Sequence, residues 1–392
     1  MFCPQIKISV FPCVLAAIIL IYGCAVTPEK TTGLEHKPAQ EDSRAFFMGF
    51  TPFPWDMTLE AVMDTGRFIV ENGDIISHHL EQGVPWTEAL DDKPFHPNMM
   101  GDWEGRRKLS EGVKLFLSVT PLNEGRNSME LYRGEDEDMP IPDSFRDIAF
   151  NDAIVKKAYL NYCRRAVNYF QPDYFAVGIE VNELFHNSRQ MWSPFVELHK
   201  HIYTELKKSY PDLPILFTVS LHNLTNPSWE DRKEQQDEIT KLLEFTDIAG
   251  ISYYPFMAGQ SERPTEIFDW VKDFTDKPVA ITETGFPAED IVLKTYGITI
   301  PGSPEKQTSY FETLLDRAGK DDYLFVIAFL YRDYDALFGK IFPELEKRDL
   351  TMDIFSVWRD CGMVDENGAE RPALKVWRRY LSLRREASYI SP

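Results

Sequence analysis

Tyr174-Phe175-Ala176-Val177-Gly178-Ile179-Glu180-Val181-Asn182-Glu183 is a short apolar run, preceded by Pro172-Asp173, that closes on two carboxylates. Unbroken apolar character over so few residues reads as a parallel strand buried on both faces. Seven further runs share this grammar: Phe46–Thr51, Asp74–Ser77, Lys114–Thr120, Ile215–Ser220, Ile248–Tyr254, Val279–Glu283 and Phe325–Tyr331. With Tyr174–Glu180 they make eight. Each is rich in β-branched or aromatic residues and bounded by Pro, Gly or Asp.

Helical signals fill the gaps. Thr58 precedes the periodic Leu59, Val62 and Met63, and Ser193-Pro194 and Ser303-Pro304 each read as an N-cap followed by proline at the first helical position. Strands alternating with helices imply parallel βαβ units, so the α/β chain is expected to close into a (β/α)8 TIM barrel. A doubly wound sheet is the alternative, but it usually carries a Gly-rich turn after its first strand, and this chain has Thr51-Pro52-Phe53-Pro54-Trp55 there. The stretch Asp353 to Leu383 is expected to supply the last loop and a closing helix. A length of 392 residues fits one barrel with insertions as well as it fits two or three smaller domains. The strand pattern favours the single domain, over residues 46–392.

The amino-terminal segment is read separately. Lys7 followed by an apolar stretch from Ile8 to Gly23 has the form of a secretion signal spanning residues 1–23. Its end, Ile21-Tyr22-Gly23-Cys24, resembles a bacterial lipobox, which implies acylation of Cys24 and a bacterial cell-envelope location. Residues 24–45 are rich in Thr, Pro, Glu and Lys and read as a flexible tether to a membrane. Cys163 and Cys361 then remain, able to pair or to stand as two separate buried thiols. A formal net charge of −20, from 62 acidic and 42 basic side chains, opposes binding to nucleic-acid backbones.

Chemistry in such barrels sits at the carboxyl ends of the strands. Two of those ends bear glutamates, Glu180 in the fourth run and Glu283 in Val279-Ala280-Ile281-Thr282-Glu283-Thr284-Gly285. Paired carboxylates suit glycoside hydrolysis, one as acid/base and the other as nucleophile or base; rim carboxylates in structural ion pairs are the alternative. The chain resembles the clan A glycoside hydrolases, barrels with an acid/base glutamate after strand four and a nucleophile after strand seven. Within that clan, Pro172-Asp173 through Val177-Gly178-Ile179-Glu180, Gly250-Ile251-Ser252-Tyr253-Tyr254-Pro255 and Thr282-Glu283-Thr284-Gly285 resemble the endo-β-1,4-galactanase family.

The resemblance implies a retaining hydrolase of β-linked saccharides, with Glu180 as acid/base, Glu283 as nucleophile and no cofactor. Three departures stand out. Ile179 occupies a position where that family has Asn, strand two ends in Ser77-His78-His79 without an arginine, and Phe329-Leu330-Tyr331-Arg332 replaces a tryptophan after strand eight. A catalytically silent glycan-binding lipoprotein on the same barrel is therefore the second reading.

Glu183 is an alternative acid/base, because Asn182-Glu183 also reads as an Asn-Glu pair. Period-two alternation places Gly178, Glu180 and Asn182 on one face, which favours Glu180 and makes Asn182 a hydroxyl-binding neighbour. The same alternation groups Gly250, Ser252 and Tyr254, so Tyr254 is expected to hydrogen-bond the nucleophile. His222, after strand five, is a candidate for a sugar hydroxyl, and His78 and His79 are weaker rim residues. Trp55, Trp86, Trp103 and Trp192 follow strands one, two and four, as stacking platforms or as packing. No HExxH-like pattern appears, and Glu135-Asp136-Glu137-Asp138 lacks the alternating ligands of a calcium loop, so no metal is expected. The expected partner is a carbohydrate bound by a monomer.

Overall fold

The computed structural model describes residues 43–346 and 353–386. The signal segment, Cys24 and most of the tether stretch lie outside the described residues. Ser43–Ala45, the last of that stretch, lie inside them. Ser43–Arg44 pairs in parallel with Arg384–Arg385, and Arg44 is buried against Asp74 at 2.7 Å.

Eight parallel strands close into a barrel: β1 (Phe47–Phe50), β2 (Ile75–Leu80), β3 (Lys114–Val119), β4 (Tyr174–Ala176), β5 (Ile215–Ser220), β6 (Ile248–Tyr253), β7 (Val279–Thr284) and β8 (Phe325–Ala328). Neighbours in the sheet are neighbours in sequence, and β8 pairs with both β7 and β1. Alternation sorts their side chains. Phe47, Ile75, Phe116, Tyr174, Leu216, Ile248, Ala280 and Phe325 form an apolar layer inside the barrel, while Phe50, Ile76, Leu117, Phe175, Phe217, Ile251 and Ile281 pack outward against the helices. Gly49 is required where β1 meets β2, since a Cβ there would lie 1.7 Å from the Ile75 carbonyl oxygen.

Two helix starts follow the expected caps. Thr58 accepts from the Ala61 N–H at the head of Leu59–Asn72, and Ser303 accepts from Lys306 at the head of Pro304–Lys320. Ser193-Pro194 does not cap a helix. The helix begins at Arg189 and carries Pro194 inside it; the carbonyl that proline leaves unbonded belongs to the exposed Gln190, which water can satisfy. Helix Pro372–Leu381 closes the barrel, with Trp377 buried and donating to the Asn72 carbonyl at 2.8 Å. Cys163 sits in the outer core and Cys361 in a separate cluster over the mouth, both as free thiols.

Three features of the strands that the sequence reading did not contain shape the mouth. β2 runs on to Leu80, which carries His79 to the rim. β4 stops at Ala176, because Glu180 takes a left-handed φ of 48° and a short helix starts at Asn182. The β6–β7 register shifts between Ile251 and Ser252, so that Ser252 pairs with Glu283 and Tyr253 with Thr284. That irregularity puts Glu283 on the same side of the sheet as Ser252, facing the barrel interior.

Candidate active site

Strand β6 sends a hydroxyl to each of the two glutamates. Ser252 donates to Glu180 Oε1 at 2.8 Å, and Tyr254 donates to Glu283 Oε1 at 2.6 Å. The other oxygen of Glu283 lies 3.5 Å from His79 Nδ1. The other oxygen of Glu180 lies 3.5 Å from Arg126, whose guanidinium is also 2.5 Å from Glu81 Oε1. His79 in turn is 3.6 Å from Glu81 Oε2. A chain of alternating charge thus runs from Glu283 through His79, Glu81 and Arg126 to Glu180 across the ends of four strands.

Its electrostatics follow from burial and neighbours. Burial pushes the Glu283 pKa up to about 7; His79 opposes the rise, Glu180 adds to it, and the Tyr254 hydrogen bond opposes it again. For Glu81 burial also favours the neutral form, but Arg126 and His79 outweigh it, and its pKa is lowered. Burial works against a charged His79, yet Glu81, Glu283 and Glu180 prevail and its pKa is raised.

The position of Glu180 is backbone-determined. Its N–H donates to Thr218 Oγ1 at 2.8 Å, and the left-handed turn costs about 1–3 kcal/mol for a side chain other than glycine. That turn also ends the alternation on which Asn182 was grouped with Glu180. Asn182 is fully buried; its side chain accepts from the Ser220 N–H at 2.7 Å and donates to the Ser220 carbonyl and Gln235. It fixes the start of its helix to β5 and, being fully buried, faces no sugar hydroxyl.

Glu183 is likewise buried, at 1% exposure against 15% for the Glu180 side chain. It accepts from Asn223 at 2.7 Å, and burial, with the Glu180 charge behind it, raises its pKa to about 8.

Other expected contacts are redistributed. His222 is buried behind Tyr254, accepting from the Tyr254 N–H at 3.4 Å and contacting Ser220 Oγ at 3.2 Å; burial lowers its pKa to about 3, so it is neutral. It supports Tyr254 rather than reaching a ligand. Trp55 donates to Asp64, and one face of its ring is covered by the Arg332 guanidinium, 3.8 Å from the centroid. Trp86, Trp103 and Trp192 are core residues at 0%, 2% and 5% exposure, not platforms.

Sequence reasoning missed Arg126, Glu81 and Trp358. Alternation along β2 carries a signal for Glu81, since Ser77, His79 and Glu81 share one parity. Arg126 and Trp358 lie in irregular loops where no periodicity points to them. Trp358 is packed beside Tyr254 and Phe329, with centroid separations of 6.2 and 6.3 Å, so the mouth does hold an indole beyond strand eight, one contributed 30 residues after β8 ends.

Among the described residues, two acidic groupings bring ligand atoms within 4.8 Å, namely Glu289, Asp333 and Glu366, and Asp333, Asp335 and Asp360. Arg371 lies 2.7 Å from Asp333 and Arg359 lies 2.7 Å from Asp360, so arginines supply their counter-charge.

No family model and no curated protein sequence matches the chain. Among solved structures it is similar to the GH53 catalytic domain of Ignisphaera aggregans, at 16% identity over 86% of this chain and 91% of that one, with a TM-score of 0.52. It is also similar to a GH5_18 variant from Streptomyces cattleya in complex with Manβ1-4GlcNAc, at 14% identity over 89% and 83%, with a TM-score of 0.59. A third is an exo-β-1,4-mannosidase from Opitutaceae bacterium strain TAV5, at 12% identity over 86% and 59%, with a TM-score of 0.57. At these identities the likeness establishes a barrel fold shared with glycoside hydrolases. It does not single out the galactanase family.

Proposed function

We propose that the protein is a retaining glycoside hydrolase of β-linked saccharides, with Glu283 as nucleophile and Glu180 as acid/base. The observation that carries this reading is the pair of hydroxyl donors at the end of β6, Ser252 in the strand and Tyr254 just beyond it. Ser252 and Tyr254 are two residues apart, about 7 Å along a strand, and each holds one carboxylate. Such an arrangement supports the close spacing, about 5–5.5 Å between carboxyl groups, that retention of configuration needs.

In the first step Glu283 attacks the anomeric carbon as the glycosidic C–O bond breaks and Glu180 delivers its proton to the leaving oxygen. In the second, Glu180 takes a proton from water, whose oxygen attacks the same carbon and releases Glu283. Ser252 and Arg126 orient Glu180, while Tyr254 and His79 favour the ionised form of Glu283.

A panel of aryl β-glycosides tests the reading, with anomeric outcome followed by NMR. Glu283→Gln is expected to abolish turnover. Glu180→Gln should lose about 10²–10⁴-fold on poor leaving groups yet spare the first step with dinitrophenolate. Inversion, or the leaving-group pattern appearing in Glu183→Gln instead, rejects these assignments. Ile179, buried where the galactanase family has Asn, favours the second reading of a glycan-binding barrel, which predicts binding without turnover by the wild type.

We further propose that Cys24 carries lipid and that the domain works in a bacterial cell envelope. Detergent partitioning with membranes is expected for the wild type and its loss, or blocked processing, for Cys24→Ser; unchanged partitioning of that variant refutes the anchor.

A further inference from the structure

A histidine, His79, touches Glu283 in the mouth. His79 is 3% exposed, and its Nδ1 lies between Glu283 Oε2 at 3.5 Å and Glu81 Oε2 at 3.6 Å. The rings of Phe53 and Phe116 meet it edge to face, each with centroids 6.4 Å away, so the imidazole is held in a fixed orientation. Its neighbour His78 points the other way, to the Arg106 carbonyl and Ser110, and burial keeps it neutral, with a pKa lowered to about 3.

We infer that His79 is a positioning residue whose imidazolium, shared between Glu81 and Glu283, sets the pH at which Glu283 becomes a competent nucleophile. This deepens the reading of Glu283 given above and rests on it.

The groups facing the pair come from the ends of four strands. Glu81 comes from the end of β2, Glu180 from beyond β4, Arg126 from the loop after β3, and Tyr254 from the end of β6 on the opposite oxygen of Glu283. Arg126 contacts Glu81 and Glu180, and His79 contacts Glu283. Glu81 is the counter-ion that keeps the proton on His79, and Arg126 in turn keeps Glu81 ionised. Because an imidazolium titrates and a guanidinium does not, ionisation of the nucleophile is linked to a second proton.

Linkage makes the coupling reciprocal. The charge on His79 lowers the pKa of Glu283 by the amount that the charge on Glu283 raises the pKa of His79. A contact within about 4–6 Å shifts a pKa by about 1–3 units.

The primary test needs no substrate. In histidine-labelled full-length protein, the His79 ring is followed by NMR through a pH titration, assigned by its absence in His79→Gln. It should titrate above the ordinary histidine value and fall by at least one unit in Glu283→Gln. The kinetic arm uses whichever aryl β-glycoside is turned over. The acid limb of kcat/KM should move up by a matching amount in His79→Gln, with the alkaline plateau lowered far less. If His79→Gln does not fold, His79→Asn serves both arms. A His79 resonance that is neutral throughout, or that does not respond to Glu283→Gln, overturns the inference. So does an acid limb that stays in place while kcat falls equally at every pH. If no glycoside is turned over, the hydrolase reading fails on its own, while the titration still reports whether the two groups share a proton.

Discussion

A carboxylate that must meet a substrate has to leave the regular strand that delivers it, and Glu180 does so by adopting a φ of 48°. Left-handed backbone at a side chain other than glycine costs about 1–3 kcal/mol, and the carboxylate it presents raises the pKa of both Glu283 and Glu183. Glycine relieves both penalties, the backbone one because it has no Cβ. Glu180→Gly should therefore unfold at a higher temperature than the wild type, by about 1 kcal/mol or more of added stability. Glu180→Gln removes the charge but keeps the strain, so comparing the two by calorimetry isolates the backbone contribution. A Glu180→Gly protein less stable than Glu180→Gln would mean that the turn is unstrained. That Glu180 and Glu283 stand at strand ends was legible from the sequence, and period-two parity along β6 pointed to the Tyr254 contact; parity along β7 alone turns Glu283 outward. The fate of Asn182 was not legible. Parity cannot be carried through a residue whose backbone leaves the extended region, and nothing in the amino-acid pattern announces that a glutamate will take a conformation normally given to glycine.

At the scale of elements, eight short apolar runs with caps between them were enough to foresee the closed parallel barrel, because each strand must bury both faces. Strand ends were less legible, and they decide the site. β2 continues through the polar Ser77-His78-His79, which hydropathy alone reads as a stop, since inside a barrel mouth polar side chains face partners rather than a lipid-like core. The slip of β7 against β6 costs nothing that composition records, yet it selects Glu283 over Thr284 for the interior; Thr284 instead donates to the Tyr253 carbonyl on the other side of the sheet. Loops were the least legible element. The tryptophans near strand ends looked like a saccharide rim by sequence position, but Trp86 and Trp103 pack with Phe145, Tyr159 and Tyr162 between helices, where large apolar rings are most stabilising. Arg126 and Trp358 reach the mouth from irregular segments whose conformation depends on contacts far away in sequence.

Over the whole molecule, Ser43–Arg44 lies beside Arg384–Arg385 at the barrel's base, just before β1. The same global view yields a stability profile. Burial raises the pKa of Glu183 to about 8 and of Glu283 to about 7. A raised carboxyl pKa contributes stability that is complete below the ordinary carboxylate value and is lost as pH climbs through the raised one, because folding then has to bury a charge. His79, also raised, works in the same direction. Burial lowers His78, His199 and His222 to about 3, 4 and 3; their contribution is complete above about 6.5 and is lost as pH falls. Between about 4.5 and 6.5 the two sets oppose each other, and above 6.5 only the loss remains, reinforced by self-repulsion in a chain of net charge −20. Thermal unfolding should accordingly shift down by a few degrees between pH 6.5 and pH 8.5, measured by calorimetry at constant ionic strength. Glu183→Gln, neutral at every pH and still able to accept from Asn223, should flatten part of that slope. A transition temperature that is level or rising across this interval would mean that these carboxyls ionise at ordinary pH in the folded protein, and that the mouth is wetter than the barrel's packing makes it.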